Sequence, residues 1–426
     1  MYNIPNQTKT ILEIIENAGF EAYIVGGAVR DILIGRTPSD WDITTNAIPD
    51  DIEKIFGQIK GYRTEATGKK NGTITVISYF GRQTVCYEIT TYRVDGRYSD
   101  CRHPDYIRFS KNLTEDLIRR DFTINAIAMD RYGNIIDPVS GINEIKEKLI
   151  KAVGSPAARF SEDALRILRG IRLESELKEF GFKIDKMTEE AMIFQKLGLK
   201  SISEERIQNE FNRIMLSFGA SDVLIKYKEI IEVIIPELEQ GTGFNEKAVQ
   251  GLKNIKIKDN KNTEDLLSVR LAAFFSNTDN PEAILRRLKY SRRIISDTLF
   301  LIKNQKIIFN STRIDARKKL NQFGERPLNM LISLKKAQNE HMATDKIQNI
   351  DEFEQIVQDV IDNEECFKLS DLAVDGNDII ALGVEEGPEI GKILKYILDG
   401  VIQSKISNNR ESIIKEVKII LTEHSL

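Results

Sequence analysis

At 426 residues, with 41% hydrophobic and 30% charged positions, the chain is long enough for several domains, each with its own core. It holds no run approaching the roughly 18 apolar residues of a membrane span, and its start lacks the basic-then-apolar pattern of a secretory signal. A net charge of −4 excludes a uniformly basic nucleic-acid coat but not local basic surfaces, and three cysteines without metal-site spacing (Cys86, Cys101, Cys366) fit a reducing cytoplasm.

Residues 7–18 read as an amphipathic helix with Ile11, Leu12, Ile14 and Ile15 on one side, ended by Gly19. An apolar strand at 22–25 then runs into Gly26-Gly27. A helix over 28–34 carries Arg30 and Asp31, and a second strand at 41–45 follows Asp40. Pro49 opens another helix, with Asp50 and Asp51 in its first turn. Strand candidates at 72–79 and 84–91 complete a mixed α/β unit built on one sheet. Residues 93–105 are polar, charged and non-periodic, which marks a long functional loop. The spacing predicts a helix over 113–129 and a strand end at 135–138. From about residue 142 the signals are helical: 143–150, a helix capped by Ser161 and running to Leu177, then 188–197, 203–217 and the remainder. Ser203 heads half a capping box, with Arg206 where a Glu would sit. The fold class expected is therefore an α/β N-terminal head followed by an all-α remainder.

Residues i and i+2 of a strand share a face, about 6–7 Å apart. Asp40 and Asp42 are so placed and repel each other unless a cation, usually a divalent metal, lies between them. The glycine pair before a helix offers bare N–H groups to a phosphate. Together these features point to metal-assisted nucleotidyl transfer. Glu88 becomes a third acid if its strand lies beside that of Asp42. Arg30 suits a triphosphate, which a guanidinium grips as a fork. Arg119, Arg120 and Asp121, with Asn125 four residues later, form a candidate grip on phosphate or sugar. Asp163, Arg166, Arg169 and Arg172 recur every third position, so their stripe drifts about 60° per step around a helix. A carboxylate acceptor beside a guanidinium donor matches the Watson–Crick edges of cytosine and adenine. Uracil and guanine would leave buried groups unpaired, at about 1–3 kcal/mol per group.

In order, Gly26-Gly27-Ala28-Val29-Arg30-Asp31 with Asp40-x-Asp42, Arg119-Arg120-Asp121-Phe122-Thr123-Ile124-Asn125-Ala126, Glu162-Asp163-x-x-Arg166 and Glu204-Glu205-Arg206-x-x-x-Glu210 resemble the motif set of the class II tRNA nucleotidyltransferases. This family includes CCA-adding enzymes, which the chain resembles most, and bacterial poly(A) polymerases. Residues 372–380 resemble, more weakly, a segment of the family's tail.

The resemblance implies a polymerase-β-like head (1–142), a base-reading helical neck (143–217), a helical body (218–330) and a tRNA-binding helical tail (331–426). It implies template-independent addition of CMP and AMP, from CTP and ATP, to the tRNA 3′ end by a two-metal mechanism with release of pyrophosphate. Asp40 and Asp42 would hold two Mg²⁺ ions, with Glu88 as a further catalytic acid. Gly26, Gly27, Arg30, Arg120, Asp121 and Asn125 would contact the nucleotide, and Asp163, Arg166, Arg169 and Arg172 would read its base and triphosphate. The expected partners are CTP, ATP and the tRNA acceptor arm, with neither DNA nor a membrane. Basic runs at 286–293 and 313–319 are candidates for the arm, or else solvated helix faces. C-adding members lack the flexible loop that residues 93–105 fill here with Arg97, Arg102 and His103. Full CCA addition and A addition after a separate CC-adding enzyme both remain open. A poly(A) polymerase ranks third, and the intact acids argue against a non-catalytic RNA-binding relative. Three histidines without a His-Asp pair give no sign of a phosphohydrolase.

Overall fold

The computed structural model describes residues 2–80, 83–96, 107–239, 244–255, 263–338 and 344–423. It divides into two compact units, Met1–Gln240 with Arg287–Lys289, and Gly241–Arg286 with Tyr290–Leu426. The division falls inside the span expected as a body, and the head and neck share the first unit.

Helix α1 (Asn6–Asn17) buries Ile11, Leu12 and Ile15, and Gly19 at φ 89° turns the chain into strand β1 (Ala22–Val25). Helix α2 (Gly27–Leu33), strand β2 (Trp41–Thr45), helix α3 (Pro49–Gly57) and strands β3 (Tyr62–Gly68), β4 (Thr73–Phe80) and β5 (Gln83–Thr91) follow. A small antiparallel ribbon of β6 (Arg93–Asp95) and β7 (Ile107–Phe109) leads to helix α4 (Leu113–Ile118) and strands β8 (Ala128–Met129) and β9 (Ile135–Ile136). The main sheet has seven strands in the order β3-β4-β5-β2-β1-β8-β9. Only β2 and β5 pair in parallel; the other neighbours are antiparallel. Side-chain alternation then sorts the two faces. Ile43, Tyr87 and Ile89 are buried on the side of α1 and α3, and Asp42, Thr44 and Glu88 lie on the other.

Helix α5 (Gly141–Glu147) and strand β10 (Leu149–Ile150) lead into helices α6 (Pro156–Glu162) and α7 (Leu165–Glu176). Strand β11 (Lys183–Ile184) and helices α8 (Lys186–Gln195), α9 (Glu204–Leu216), α10 (Ala220–Lys226) and α11 (Lys228–Ile234) complete the first unit. The second unit is helical. Its helix Thr263–Phe274 is buried from Leu266 to Phe274, all round, and packs against Arg292–Asn304 and Glu325–Gln338. A separate apolar cluster joins Ile393, Ile397, Val401, Ile413 and Val417 near its C-terminal end. Among the described residues, no helix is long and apolar enough to cross a membrane.

Four departures from the sequence reading have physical causes. Strand β3 went unseen because its sequence, Tyr-Arg-Thr-Glu-Ala-Thr-Gly, is polar on both faces, as suits a sheet edge. The predicted 113–129 helix stops at Ile118. Beyond it Phe122, Ile124 and Ala126 to Met129 are all fully buried, and a continuous apolar run does not distinguish helix from buried strand. The backbone there is held by Thr123 N–H to Lys151 O (2.9 Å) and Val153 N–H to Asp121 O (3.0 Å). The predicted 161–177 helix is two helices with a break at Asp163, and Ser155 rather than Ser161 caps the first. The fourth is a short parallel ladder of β10 and β11 within the region read as purely helical.

Candidate active site

Val25 is paired with Asp42 across β1 and β2, and the chain then turns at Gly26 (φ 73°, ψ −137°) into α2. A Cβ at Gly26 would sit 3.4 Å from Asp42 Oδ2 and 3.5 Å from Arg120 Nη1. Gly26, the carboxylate and the guanidinium therefore converge on one small space, while Gly27 lies over Arg30. On the other side of β2, Asp42 is in register with Glu88 of β5. Burial, followed by the charges of Glu88 and Asp40, pushes the Asp42 carboxyl above its usual range, while Arg120 and Arg169 pull it down.

An acid so loaded with negative neighbours gains from a bound cation. Among the described residues, no three His, Cys, Asp or Glu side chains are close enough to hold an ion by themselves. Mg²⁺ takes one or two carboxylates and completes its shell with water and substrate phosphate. Asp40, exposed at the start of β2, and Asp42 are the residues that fit this role.

Beside the acids lies an open cavity of about 260 Å³ lined by Arg119, Arg120, Asp121, Asp163, Leu165, Arg166, Arg169 and Arg206. Its two aspartates are each held by an arginine. Arg169 Nε donates to Asp121 Oδ2 (2.7 Å), and the other oxygen of Asp121 accepts Phe122 N–H (2.9 Å). Burial opposes ionisation of Asp121, but Arg169 outweighs it and holds the carboxyl well below the usual range. Arg206 Nη2 donates to Asp163 Oδ2 (2.7 Å), while Asp163 Oδ1 accepts Leu165 N–H (3.0 Å). That last bond explains the helix break. A short carboxylate that caps the N–H two residues on draws its own backbone out of the helix. Asp163 sits at φ −144°, ψ 104°.

The chain matches the family described as the Poly A polymerase head domain over residues 22–151, the probable RNA- and SrmB-binding site of polymerase A over 181–241, and tRNA nucleotidyltransferase domain 2 (putative) over 260–417. It is 33% identical to a CCA-adding enzyme of Lactobacillus helveticus, over 95% of this chain and 94% of that one. The chain belongs to the CCA-adding enzyme family. A Lactococcus lactis CCA-adding enzyme is 34% identical over 97% of both chains. The Bacillus stearothermophilus CCA-adding enzyme in complex with CTP superimposes with a TM-score of 0.76 at 27% identity, over 99% of both chains. A Thermotoga maritima CCA-adding enzyme complexed with tRNA shares the fold, with a TM-score of 0.64 at 20% identity over 98% of this chain and 95% of that one. Like these relatives, the chain is a tRNA nucleotidyltransferase, with an α/β head and a mostly helical remainder.

Within this CCA-adding frame the expected residues divide. Gly26, Asp40, Asp42, Glu88, Arg120, Asp121, Asp163, Arg166 and Arg169 fall around the acids and the arginine cavity. Asp163 and Arg166 do not pair with each other as one helix face would place them. Arg166 is bonded instead to Glu162 and, at 3.0 Å, to Arg159 O. Arg30 is buried. Its Nη2 and Nε donate to Asp31 Oδ1 (2.7 and 2.9 Å) and its Nη1 to Asn125 Oδ1 (3.0 Å), just under Gly27. Arg30 and Asn125 are thus spent on each other and brace α2 against the 123–125 turn. Asn125 does not share a helical face with Asp121, because no helix spans them. Arg172 is also buried and lies outside the cavity lining, with Nε on Glu210 Oε2 (2.6 Å) and Nη1 on Glu176 (3.1 Å). Arg97, Arg102 and His103 lie outside the described residues.

The sequence reading missed Arg206, Glu162 and Asp116 as parts of the site. Arg206 had a signal, since an Arg in place of the capping-box Glu is free to point elsewhere. Asp116 stands three and four residues before Arg119 and Arg120, the spacing of helical ion pairs. The two basic runs are largely neutralised. Arg286 pairs with Glu282, Arg287 with Glu204 and Glu237, Arg293 with Glu264 and Asp265, and Arg313 with Glu365.

Proposed function

We propose that the chain adds CMP and then AMP, from CTP and ATP, to the 3′ end of tRNA, releasing pyrophosphate at each step. The observation that carries this reading is the convergence of Gly26, Asp42 and Arg120 beside the cavity of five arginines. Asp40 and Asp42 would hold two Mg²⁺ ions, with Glu88 adding negative charge alongside. Bound there, the ions would activate the attacking 3′ hydroxyl and offset charge on the leaving pyrophosphate. Arg120 and Arg169 supply fixed positive charge to the triphosphate, and the backbone at Gly26 and Gly27 lets it approach closely.

Selection of the base falls to Asp163 and Arg166. Arg206 fixes the carboxylate and Glu162 fixes the guanidinium, which leaves one oriented acceptor and one oriented donor in the cavity. Cytosine and adenine complement that pair without a nucleic-acid template; uracil and guanine oppose it. The relatives named for CCA addition, and the one solved with CTP, support the same reading.

The test is incorporation on three tRNA transcripts that end before CCA, after C and after CC, with labelled CTP or ATP and Mg²⁺. CMP on the first two and AMP on the third is the expected result. AMP on the CC-ended transcript alone would replace this reading with A addition, and long A tracts on any RNA would replace it with poly(A) synthesis. Loss of incorporation in Asp40→Ala and Asp42→Ala, with tRNA binding kept, is expected of the metal assignment. Full incorporation by both variants would refute it.

A further inference from the structure

Asp116 is a fully buried carboxylate with donors from four residues around it. Its Oδ1 accepts from Arg119 Nε (2.9 Å) and Nη2 (2.7 Å), and at 3.4 Å from the backbone N–H of Arg93. Its Oδ2 accepts from Arg120 Nη2 (3.1 Å) and from Thr44 Oγ (3.2 Å). The donors come from three parts of the site, with Arg119 and Arg120 following Asp116 in the chain. Thr44 stands two residues after Asp42 on the same face of β2, and Arg93 opens the β6–β7 ribbon. Arg120 reaches from Asp116 to the space it shares with Asp42 and Gly26, through its other terminal nitrogen.

Burial alone pushes this carboxyl up. The Arg120 and Arg119 guanidinium groups outweigh burial and hold the carboxyl below its usual range. A buried carboxylate kept ionised by two arginines is a rigid anchor, because leaving either partner unmatched is costly. A guanidinium that is free to rotate loses much of its value to a transition state; one held in place loses nothing to reorganisation.

We propose that Asp116 is a positioning residue for nucleotidyl transfer, fixing Arg120 against the catalytic strand and tying it to the root of the β6–β7 ribbon. The inference rests on the proposed role of Arg120 at the triphosphate. Asp116 touches neither substrate nor ion; it acts through Arg120.

Such action predicts a split in the kinetics and a lack of additivity. In Asp116→Asn, kcat for CMP addition falls about 10- to 100-fold while KM for the tRNA transcript stays within about threefold. The double variant Asp116→Asn/Arg120→Ala is no slower than Arg120→Ala alone, because the two residues form one unit. Asp116→Glu keeps the charge and displaces it by one methylene, so it remains usable if the Asn variant does not fold. It shows the same kcat loss and the same non-additivity. Independent, multiplying losses in the double variants, or wild-type kcat in either single Asp116 variant, would overturn the inference. A wild-type rate for Arg120→Ala would overturn the reading of the site itself, and this proposal with it.

Discussion

Replacing Gly26 with alanine separates two costs that the structure places at one residue. The first is backbone strain. With φ 73° and ψ −137°, Gly26 lies where an L side chain is disfavoured, at about 1–3 kcal/mol. For a unit of this size that lowers Tm by roughly 2–10 °C. The second cost is local. The new methyl group has no clash to relieve, since its nearest neighbours are 3.4 and 3.5 Å away, but it occupies the space between Asp42 Oδ2 and Arg120 Nη1. A substrate phosphate displaced by about 1 Å there loses on the order of 10²-fold in rate. Gly35→Ala is the control. Gly35 also has positive φ, at 78°, but no atom lies within 4 Å of its added Cβ. It is expected to lower Tm while incorporation of labelled CMP stays within about twofold of wild type. Melting curves and initial rates on a tRNA transcript read both quantities. Wild-type turnover by Gly26→Ala, or equal loss of turnover by Gly35→Ala, would refute the reasoning.

Three further outcomes follow from the ion pairs and thiols. Arg206→Ala leaves the Asp163 carboxylate without its 2.7 Å donor, so discrimination against UTP and GTP should weaken by about 1–3 kcal/mol, or roughly 5- to 150-fold in relative kcat/KM. Unchanged nucleotide preference would remove Arg206 from base selection. Glu210 bridges Arg169 (3.7 Å) and Arg172 (2.6 Å), both on α7. Glu210→Gln should destabilise the first unit by about 3–5 kcal/mol in denaturant melts, since it leaves a buried arginine partly uncompensated. A loss under about 1 kcal/mol would contradict the buried-pair account. Burial pushes the Cys366 thiol up to about 11, whereas Cys86 is exposed on β5. Iodoacetamide at pH 8 should therefore label Cys86 well before Cys366, as read by peptide mass spectrometry. Equal labelling would show that Cys366 opens readily to solvent.

What the sequence disclosed here was mostly local. The order of strand, glycine pair, helix and paired acids could be read directly, because period-2 alternation and turn chemistry are properties of neighbouring residues. The parallel pairing that brings Glu88 level with Asp42 is not such a property. It could be posed as a condition but not settled, since no local pattern tells which strand lies beside which. The third-position recurrence holds along α7 for Arg166, Arg169 and Arg172, but its first member, Asp163, stands outside the helix for a related reason. Spacing assumes an unbroken helix, and the side chain of Asp163 ends that assumption by capping Leu165. Arg30 and Arg172 show the same limit in another form. An arginine near a phosphate motif reads as a ligand contact, yet each has a buried acid or amide within 3.0 Å that sequence distance concealed.

The internally neutralised basic runs bear on how RNA binding will respond to salt. Affinity for a polyanion rises with the number of condensed counterions released, and only cations that meet phosphate release them. Arg286, Arg287, Arg293 and Arg313 would each have to give up a carboxylate first. Among the described residues, no carboxylate pairs with exposed Lys289, Arg292 or Lys318, so these carry no such exchange. The slope of log affinity against log salt would then be shallower than a count of lysines and arginines in these runs implies.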